Sequence, residues 1–333
     1  MGRGRATFVD VTRKSPCPVC GADGFCTMAR DGKTVVCRRQ ETAPDGRRGK
    51  AGQDRLGARW TFYYGEREAL PVAPVIAGPE VASFDVRARV YARMVDLMEL
   101  AADHVEALRT RGLSAETIRA NQYRTLRRGR ARVAATLARE FGDVIAQVPG
   151  FYQVQKPGES PYWSIACASG MLVPVRSADR NIGGFQVRID EPREARYVWL
   201  SSASHEGPGP QLACHVPKHT GKPQRVRLTE GPLKADVATA LDPSGLLTLG
   251  VPGVGTWRCA LPTLEVLEVR EVLLAWDADW RTNRRVAASL LDACTTLEAA
   301  GYTVALEQWS TTGGVPKGID DALLAGVHVE VRT

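Results

Sequence analysis

The chain has 333 residues, 44% of them hydrophobic, and a formal net charge of +7. That length holds one large or two to three small domains with real cores, and the arginine-rich excess of charge favours polyanionic partners. No apolar run of about 18 residues and no charged-then-apolar leader is seen, so a cytoplasmic protein is the expectation. In that compartment thiols stay reduced, so clustered cysteines read as metal ligands before disulfides. No repeat of solenoid length is visible.

The first sixteen residues are a polar, basic lead-in. Cys17-Pro-Val-Cys20-Gly then forms a knuckle in which proline fixes the turn, glycine lets the chain reverse and two thiolates face one point. Cys26 and Cys37 follow, with five and ten residues intervening. Asp31-Gly32 is a hairpin signal that returns Cys37 toward the knuckle. Four thiolates at one point suit tetrahedral Zn2+ in a closed, structural site; the plainer alternative is four scattered core cysteines. Arg38, Arg39, Arg47, Arg48 and Lys50 read as a phosphate-tracking run or as a solvated loop. Alternation over Trp60, Phe62, Tyr63 and Tyr64 predicts a strand closing a small core.

Residues 66–83, rich in Pro and Ala, read as a semi-rigid linker. From Phe84 to about Leu108 apolar positions recur at helical spacing, predicting one amphipathic helix stopped by Arg111-Gly112. Ser114 caps a second helix. Arg124, Arg127, Arg128, Arg130 and Arg132 form the densest basic run of the chain, either a solvated face or a nucleic-acid groove. Gly170–Arg176 and Ile182–Arg188 predict two strands joined by a turn. Cys214, His215 and His219 lack a knuckle and read as ordinary residues rather than a second metal site, and Cys167, Cys259 and Cys294 as small core residues.

From Gln224 strands and helices alternate, as a parallel sheet requires. One apolar strand breaks on Leu228-Thr229-Glu230-Gly231 and continues through Lys234 and Asp236 into a helix. A second ends in Asp277-Ala278-Asp279. Neighbouring parallel strands finish on the same edge, so these acids converge on one pocket. Alternation in Asp-x-Asp points both carboxylates to one side of an extended backbone. Three convergent carboxylates repel one another without a cation between them, and hard oxygen ligands suit Mg2+ or Mn2+. Asp320 or Asp321 is a candidate further ligand, and Lys234 a candidate phosphate contact. The bland alternative is a set of strand-end acids capping helices.

Glu230-Gly-Pro-Leu-Lys-Ala-Asp236, Ala275-Trp-Asp-Ala-Asp-Trp-Arg-Thr-Asn283 and Lys317-Gly-Ile-Asp-Asp321, in this order and strand context, resemble the TOPRIM domain of bacterial-type DNA primases, in a phage- and plasmid-type branch with an N-terminal zinc-binding domain. The resemblance extends to Arg111-Gly-Leu-Ser-Ala-Glu-Thr-Ile118, to the hairpin from Gly170, and to Arg196-Tyr-Val-Trp-Leu-Ser-Ser202. It implies an α/β fold in three parts: a small zinc-ribbon-like domain over 10–65, a basic α+β primase-core subdomain over 84–222, and a TOPRIM domain with a mostly parallel sheet over 223–330. It implies Glu230, Asp277 and Asp279 as catalytic metal ligands, the Cys17, Cys20, Cys26 and Cys37 module as an aid in choosing the template site, and Arg176, Arg188 and Arg196 as holders of template or nucleotide phosphates. One departure stands out: Lys234 occupies a position where that family has an Asp, so one metal ligand is displaced to Asp236 or lost.

The activity implied is a DNA-dependent RNA primase of a mobile element, acting on single-stranded DNA with ribonucleoside triphosphates. No ATPase motif is present, so a helicase partner would be encoded separately. The rivals are a TOPRIM nuclease, with water as nucleophile, and a non-catalytic DNA-binding replication module.

Overall fold

A computed structural model describes residues 8–64 apart from 13–14, 24–25, 31 and 55–56, and residues 80–332 apart from 193–194 and 313–314. The chain divides into two compact units, Met1–Gly78 and Pro79–Thr333. Asp31 and linker positions 66–79 lie outside the described residues.

The first unit is a five-stranded antiparallel sheet of β1 (Phe8–Asp10), β2 (Thr27–Ala29), β3 (Thr34–Cys37), β4 (Lys50–Asp54) and β5 (Gly57–Tyr63), in the order β1-β2-β3-β5-β4. The alternation seen in the aromatic segment is realised in β5, where Phe62 is 1% exposed and Tyr63 61%. Phe62 closes a core of Val11, Val19 and Val35 around Cys17, Cys26 and Cys37. The ligand atoms of Cys17, Cys20, Cys26 and Cys37 all lie within 4.8 Å of one another, with Sγ separations of 3.7 Å for Cys20–Cys26 and 3.9 Å for Cys26–Cys37. Zn–S bonds of about 2.3 Å would place tetrahedral sulfurs about 3.8 Å apart. The backbone N–H of Arg38 donates to Cys26 Sγ at 3.4 Å and that of Arg39 to Cys37 Sγ at 3.5 Å, the outer hydrogen bonds a metal-thiolate site uses. The quartet therefore fits a structural zinc ion.

In the second unit, α1 (Phe84–Asp96) starts on Ser83, whose Oγ accepts from Val86 N at 3.4 Å. The single helix expected to Leu108 is instead two, because the chain leaves helical geometry to pair with a strand: Thr125 N donates to Glu99 O at 2.8 Å and Ala101 N to Thr125 Oγ1 at 2.9 Å. Then follow α2 (Ala102–Arg109), α3 (Ala115–Asn121, capped by Ser114 Oγ), β6 (Arg124–Leu126) and α4 (Arg130–Phe141). β7 (Phe151–Val154) and β8 (Tyr162–Ile165) make a hairpin, and β9 (Gly170–Arg176), β10 (Ile182–Ile189) and β11 (Tyr197–Trp199) complete an antiparallel sheet of order β11-β10-β9-β6. Tyr91, Met94, Leu126, Leu137, Phe151, Leu172 and Phe185 build the core beside it.

The remaining chain gives β12 (Arg225–Glu230), α5 (Pro232–Leu241), β13 (Thr248–Val251), α6 (Leu261–Val266), β14 (Glu271–Leu274), α7 (Arg284–Ala299), β15 (Thr303–Trp309), α8 (Ile319–Leu324) and β16 (Val329–Arg332). Their sheet runs β13-β12-β14-β15-β16, parallel except for the last strand. Val226, Leu228, Leu249, Val272 and Leu274 are buried as near-continuous apolar runs, as strands covered on both faces require. A charged residue interrupts this core. Arg227, 3% exposed, pairs with Asp242 at 2.7 Å, with Glu307 through both carboxylate oxygens, and with Thr248 Oγ1 at 3.1 Å, tying β12 to β13, β15 and the end of α5.

Purified protein is expected to carry about one zinc per chain, and Cys26→Ser to lose it, measured by elemental analysis; undiminished zinc in the variant would refute coordination by four thiolates. Arg227→Met strands two buried carboxylates and is expected to cost about 3–5 kcal/mol, read as a lower urea midpoint at unchanged slope.

Candidate active site

Four segments bring charged side chains to one edge of the parallel sheet. β12 ends at Glu230, and Gly231 follows at φ +92°, in the left-handed region open to glycine. The chain thereby turns at once into α5, with Pro232 in its first turn and Lys234 just beyond. β14 ends at Leu274, level with Leu228 of β12; Ala275 N donates to Leu228 O at 3.0 Å and Thr229 Oγ1 to Ala275 O at 2.9 Å. This register carries Asp277 to the edge that Glu230 occupies.

Beyond Asp277 the backbone is not extended, contrary to the alternation expected for Asp-x-Asp. It coils into a 3-10 turn over Ala278–Arg281, with Thr282 N and Asn283 N donating to Asp279 O at 2.9 and 2.7 Å. Ala278 N also donates to Lys317 O at 2.9 Å, which draws in the fourth segment, Lys317 to Asp321.

The two carboxylates of Asp-x-Asp meet through lysine. Lys317 Nζ lies 3.4 Å from Asp277 Oδ2 and 3.3 Å from Asp279 Oδ2, and Lys234 Nζ donates to Asp277 Oδ1. Asp320, 2% exposed, accepts from Arg111 Nη1 at 3.0 Å. A Cβ at Gly318 would stand 2.5 Å from Asp320 Oδ1, so only glycine leaves room there. A cavity of about 500 Å3 is lined by Glu230, Lys234, Asp277, Lys317, Asp320 and Asp321 together with Arg111 and Arg196.

Burial pushes the Glu230 carboxyl above its ordinary range, an effect that Lys234 opposes and Asp277 reinforces. Burial likewise raises Asp320, with Asp321 beside it. For Lys317 burial works against the charge, but Asp277 and Asp279 outweigh it and hold the ammonium above its usual value.

Among the described residues the cysteine quartet is the group whose ligand atoms all lie within 4.8 Å; the acids stand further apart, with ammonium groups between them. Asp279 Oδ1 and Asp320 Oδ1 are buried without a hydrogen-bond partner. Hard oxygen donors already holding monovalent cations, with two oxygens unused, suit Mg2+ or Mn2+.

Asp236 does not join this cluster. It lies two residues from Lys234 on α5, a spacing that turns the two side chains to different faces. Its carboxylate is 2% exposed and accepts from Tyr123 Oη at 2.7 Å and from His215 Nε2 at 3.0 Å, while His215 Nδ1 accepts from Arg176 N at 3.0 Å. Burial, reinforced by Asp236, raises the Tyr123 phenol well above its ordinary range.

Of the arginines expected to hold phosphate, four are paired with groups of the chain itself. Arg176, 2% exposed, donates to Asn121 O at 2.8 Å and Gln122 Oε1 at 2.9 Å. Arg124 donates to Val95 O and Tyr123 O. Arg127 forks between Asp103 and Asp190, and Arg130 reaches Cys167 O and Ser169 Oγ. Arg188 stands opposite Tyr197 in the β10–β11 register, Arg128 is exposed, and Arg196 lines the cavity. Sequence reasoning gave no role to Arg111 or Lys317, although Lys317 opens the Lys-Gly-Ile-Asp-Asp segment and that proximity to acids was the available signal.

An α/β chain with a four-cysteine module and acids on one sheet edge defines a class, and comparison narrows it. Residues 220–329 match a family model described as "Domain of unknown function (DUF3854)". No curated protein matches the chain in sequence. Among solved structures it is similar to the zinc-binding and RNA polymerase domains of Aquifex aeolicus primase, at 12% identity and a TM-score of 0.52 over 75% of this chain and 63% of that one. It is also similar to the RNA polymerase domain of Mycobacterium tuberculosis primase DnaG, solved with a double-stranded DNA oligomer bearing a 6-nucleotide overhang (16% identity, TM-score 0.53, 73% of this chain and 77% of that one). A DNA primase domain from Pseudomonas aeruginosa matches at 16% identity and a TM-score of 0.53, over 73% of this chain and 75% of that one. The chain thus has a primase-like fold, that of bacterial primase catalytic cores.

Removing the Lys234 ammonium from Asp277 is expected to strengthen divalent-cation binding. Lys234→Met should raise Mn2+ affinity about tenfold in a titration followed by electron paramagnetic resonance; weaker binding would show that Lys234 supports the cation site instead.

Proposed function

We propose that this chain is a DNA-dependent RNA primase that synthesises short primers on single-stranded DNA from ribonucleoside triphosphates, in the replication of a phage, plasmid or other mobile element. The observation that carries this reading is the convergence of Glu230, Asp277, Asp279 and Asp320 with Arg111, Arg196, Lys234 and Lys317 about one cavity, in a chain with a primase-like fold. The domains would be those outlined by the sequence, with the zinc-binding part over 10–65, a linker over 66–83, the core subdomain over 84–222 and the TOPRIM part over 223–330. DNA in one of the similar primase structures supports a nucleic-acid partner, and a replicative helicase would be a separate chain.

Nucleotidyl transfer demands geometry, and positive charge where phosphoryl charge develops. Glu230, Asp277 and Asp279 would hold Mg2+ or Mn2+, with Asp320 and Asp321 as further oxygen donors. A bound divalent cation supplies charge neutralisation at the triphosphate and a lower pKa for the attacking hydroxyl. Arg111, Arg196, Lys234 and Lys317 orient and neutralise the phosphates from the cavity walls. Lys317, paired with both Asp277 and Asp279, also offsets their mutual repulsion. Among the described residues no helix is long and apolar enough to cross a membrane.

Primer synthesis on mixed-sequence single-stranded DNA, with labelled ribonucleoside triphosphates and Mg2+ or Mn2+, tests the reading. Short labelled products are expected, reduced at least about a hundredfold in Glu230→Gln and in Asp277→Asn/Asp279→Asn. Template degradation lost in the same variants would establish a nuclease, and DNA binding without either activity a non-catalytic replication module.

A further inference from the structure

The cavity that holds the acids is also lined from the antiparallel sheet, by Gln186, Tyr197 and Trp199. Gln186 and Trp199 are direct partners in the β10–β11 register, as are Arg188 and Tyr197, so these side chains project from one face. The two aromatics differ in how they are held. Tyr197 packs against the buried cluster of Leu108, Leu113, Met171, Val173 and Leu233. Trp199 is half-buried, sits on the edge strand and belongs to no core cluster among the described residues. Its ring lies over Gly184 of the neighbouring strand, 3.8 Å from where a Cβ would stand there. A large indole is therefore spent on a polar cavity rather than on the core.

We propose that Trp199 is the stacking platform for the base of a nucleoside triphosphate whose phosphates lie among Arg111, Arg196, Lys234 and Lys317 in the same cavity. This deepens the primase reading and rests on it. A cavity of about 500 Å3 is of the size that takes small ligands whole. Its lining combines an aromatic ring with a carboxamide beside it, cationic side chains, and carboxylates suited to a divalent cation. A nucleoside triphosphate presents matching parts: a planar base with donor and acceptor edges, and a polyanion that carries a metal. Gln186, 6% exposed, offers one carbonyl acceptor and two N–H donors at the level of the ring. An indole face accepts every base, which suits a site that must take four nucleotides.

Calorimetric titration of the full chain with ATP and, separately, with inorganic tripolyphosphate, both in Mn2+, tests the platform in wild type, Trp199→Ala and Trp199→Phe. Trp199→Ala is expected to weaken ATP binding about 5- to 100-fold and to leave tripolyphosphate within about twofold, while Trp199→Phe stays near wild type for both. Unchanged tripolyphosphate binding also certifies that the variant is folded. Equal loss of both ligands would make Trp199 a structural residue, and no loss of either would remove it from the site. Weakened binding of single-stranded DNA with intact ATP binding would move it to the template, and wild type binding ATP no better than tripolyphosphate would also overturn the platform. These readings need no chemistry, so they stand or fall apart from primer synthesis: a chain that makes primers with an indifferent Trp199 retains the function and loses the platform.

Discussion

The site depends on a repulsion and on what relieves it. Parallel pairing of β12 and β14 carries Glu230 and Asp277 to one edge, and the 3-10 turn after Asp277 adds Asp279 to the same neighbourhood. Burial raises the proton affinity of Glu230, and Asp277 and Asp279 reinforce the effect against Lys234 and Lys317. Lys234 and Lys317 answer this by ion pairing with Asp277 and, for Lys317, Asp279 as well. Two ammoniums against three carboxylates leave a residual demand for positive charge, which a plain salt-bridge network of matched pairs would not have. A lysine within hydrogen-bonding reach of Asp277 also means that any divalent cation there competes with, or displaces, a charge belonging to the chain.

Holding this arrangement requires that β12 and α5 not move, and two buried polar networks meet that need. Arg227 clamps β12 to β15 through Glu307 and to the end of α5 through Asp242. On the other side of α5, Asp236 gathers Tyr123 and His215 and so links the helix to the segment before β6 and to the backbone of Arg176. Burying these charges has a desolvation cost that apolar packing would avoid. The compensation is directional: a guanidinium between two carboxylates admits one register, where a leucine would tolerate several. Strand register is what brings the Glu230 and Asp277 edges level.

The arginines show how linear charge density misleads. Arg124, Arg127 and Arg130 crowd together in the chain, yet each is engaged by carbonyls or carboxylates of the chain itself, which a planar five-donor group satisfies in a fork. The cations that face the cavity, Arg111, Arg196, Lys234 and Lys317, are scattered over more than half of the chain and form no run at all. Positive potential at a site is thus a property of convergence rather than of composition.

Sequence alone determined the features that arise from near neighbours along the backbone. The cysteine knuckle, the alternation in β5, the Ser114 cap, the β9–β10 pair and the Glu-Gly strand end are set by turn chemistry and by side-chain periods of two or 3.6 residues, which a linear pattern displays. Only the tertiary structure decided the rest. Phe84 to Leu108 broke into two helices because Glu99 and Ala101 found β6; Asp236 turned from the cluster because helical spacing pointed it at Tyr123 and His215; Arg111 reached Asp320 from 209 positions away. Lys317 acquired its place only when its carbonyl bonded Ala278. Such partners are chosen by packing and register across the fold, where separation in space bears no fixed relation to separation along the chain.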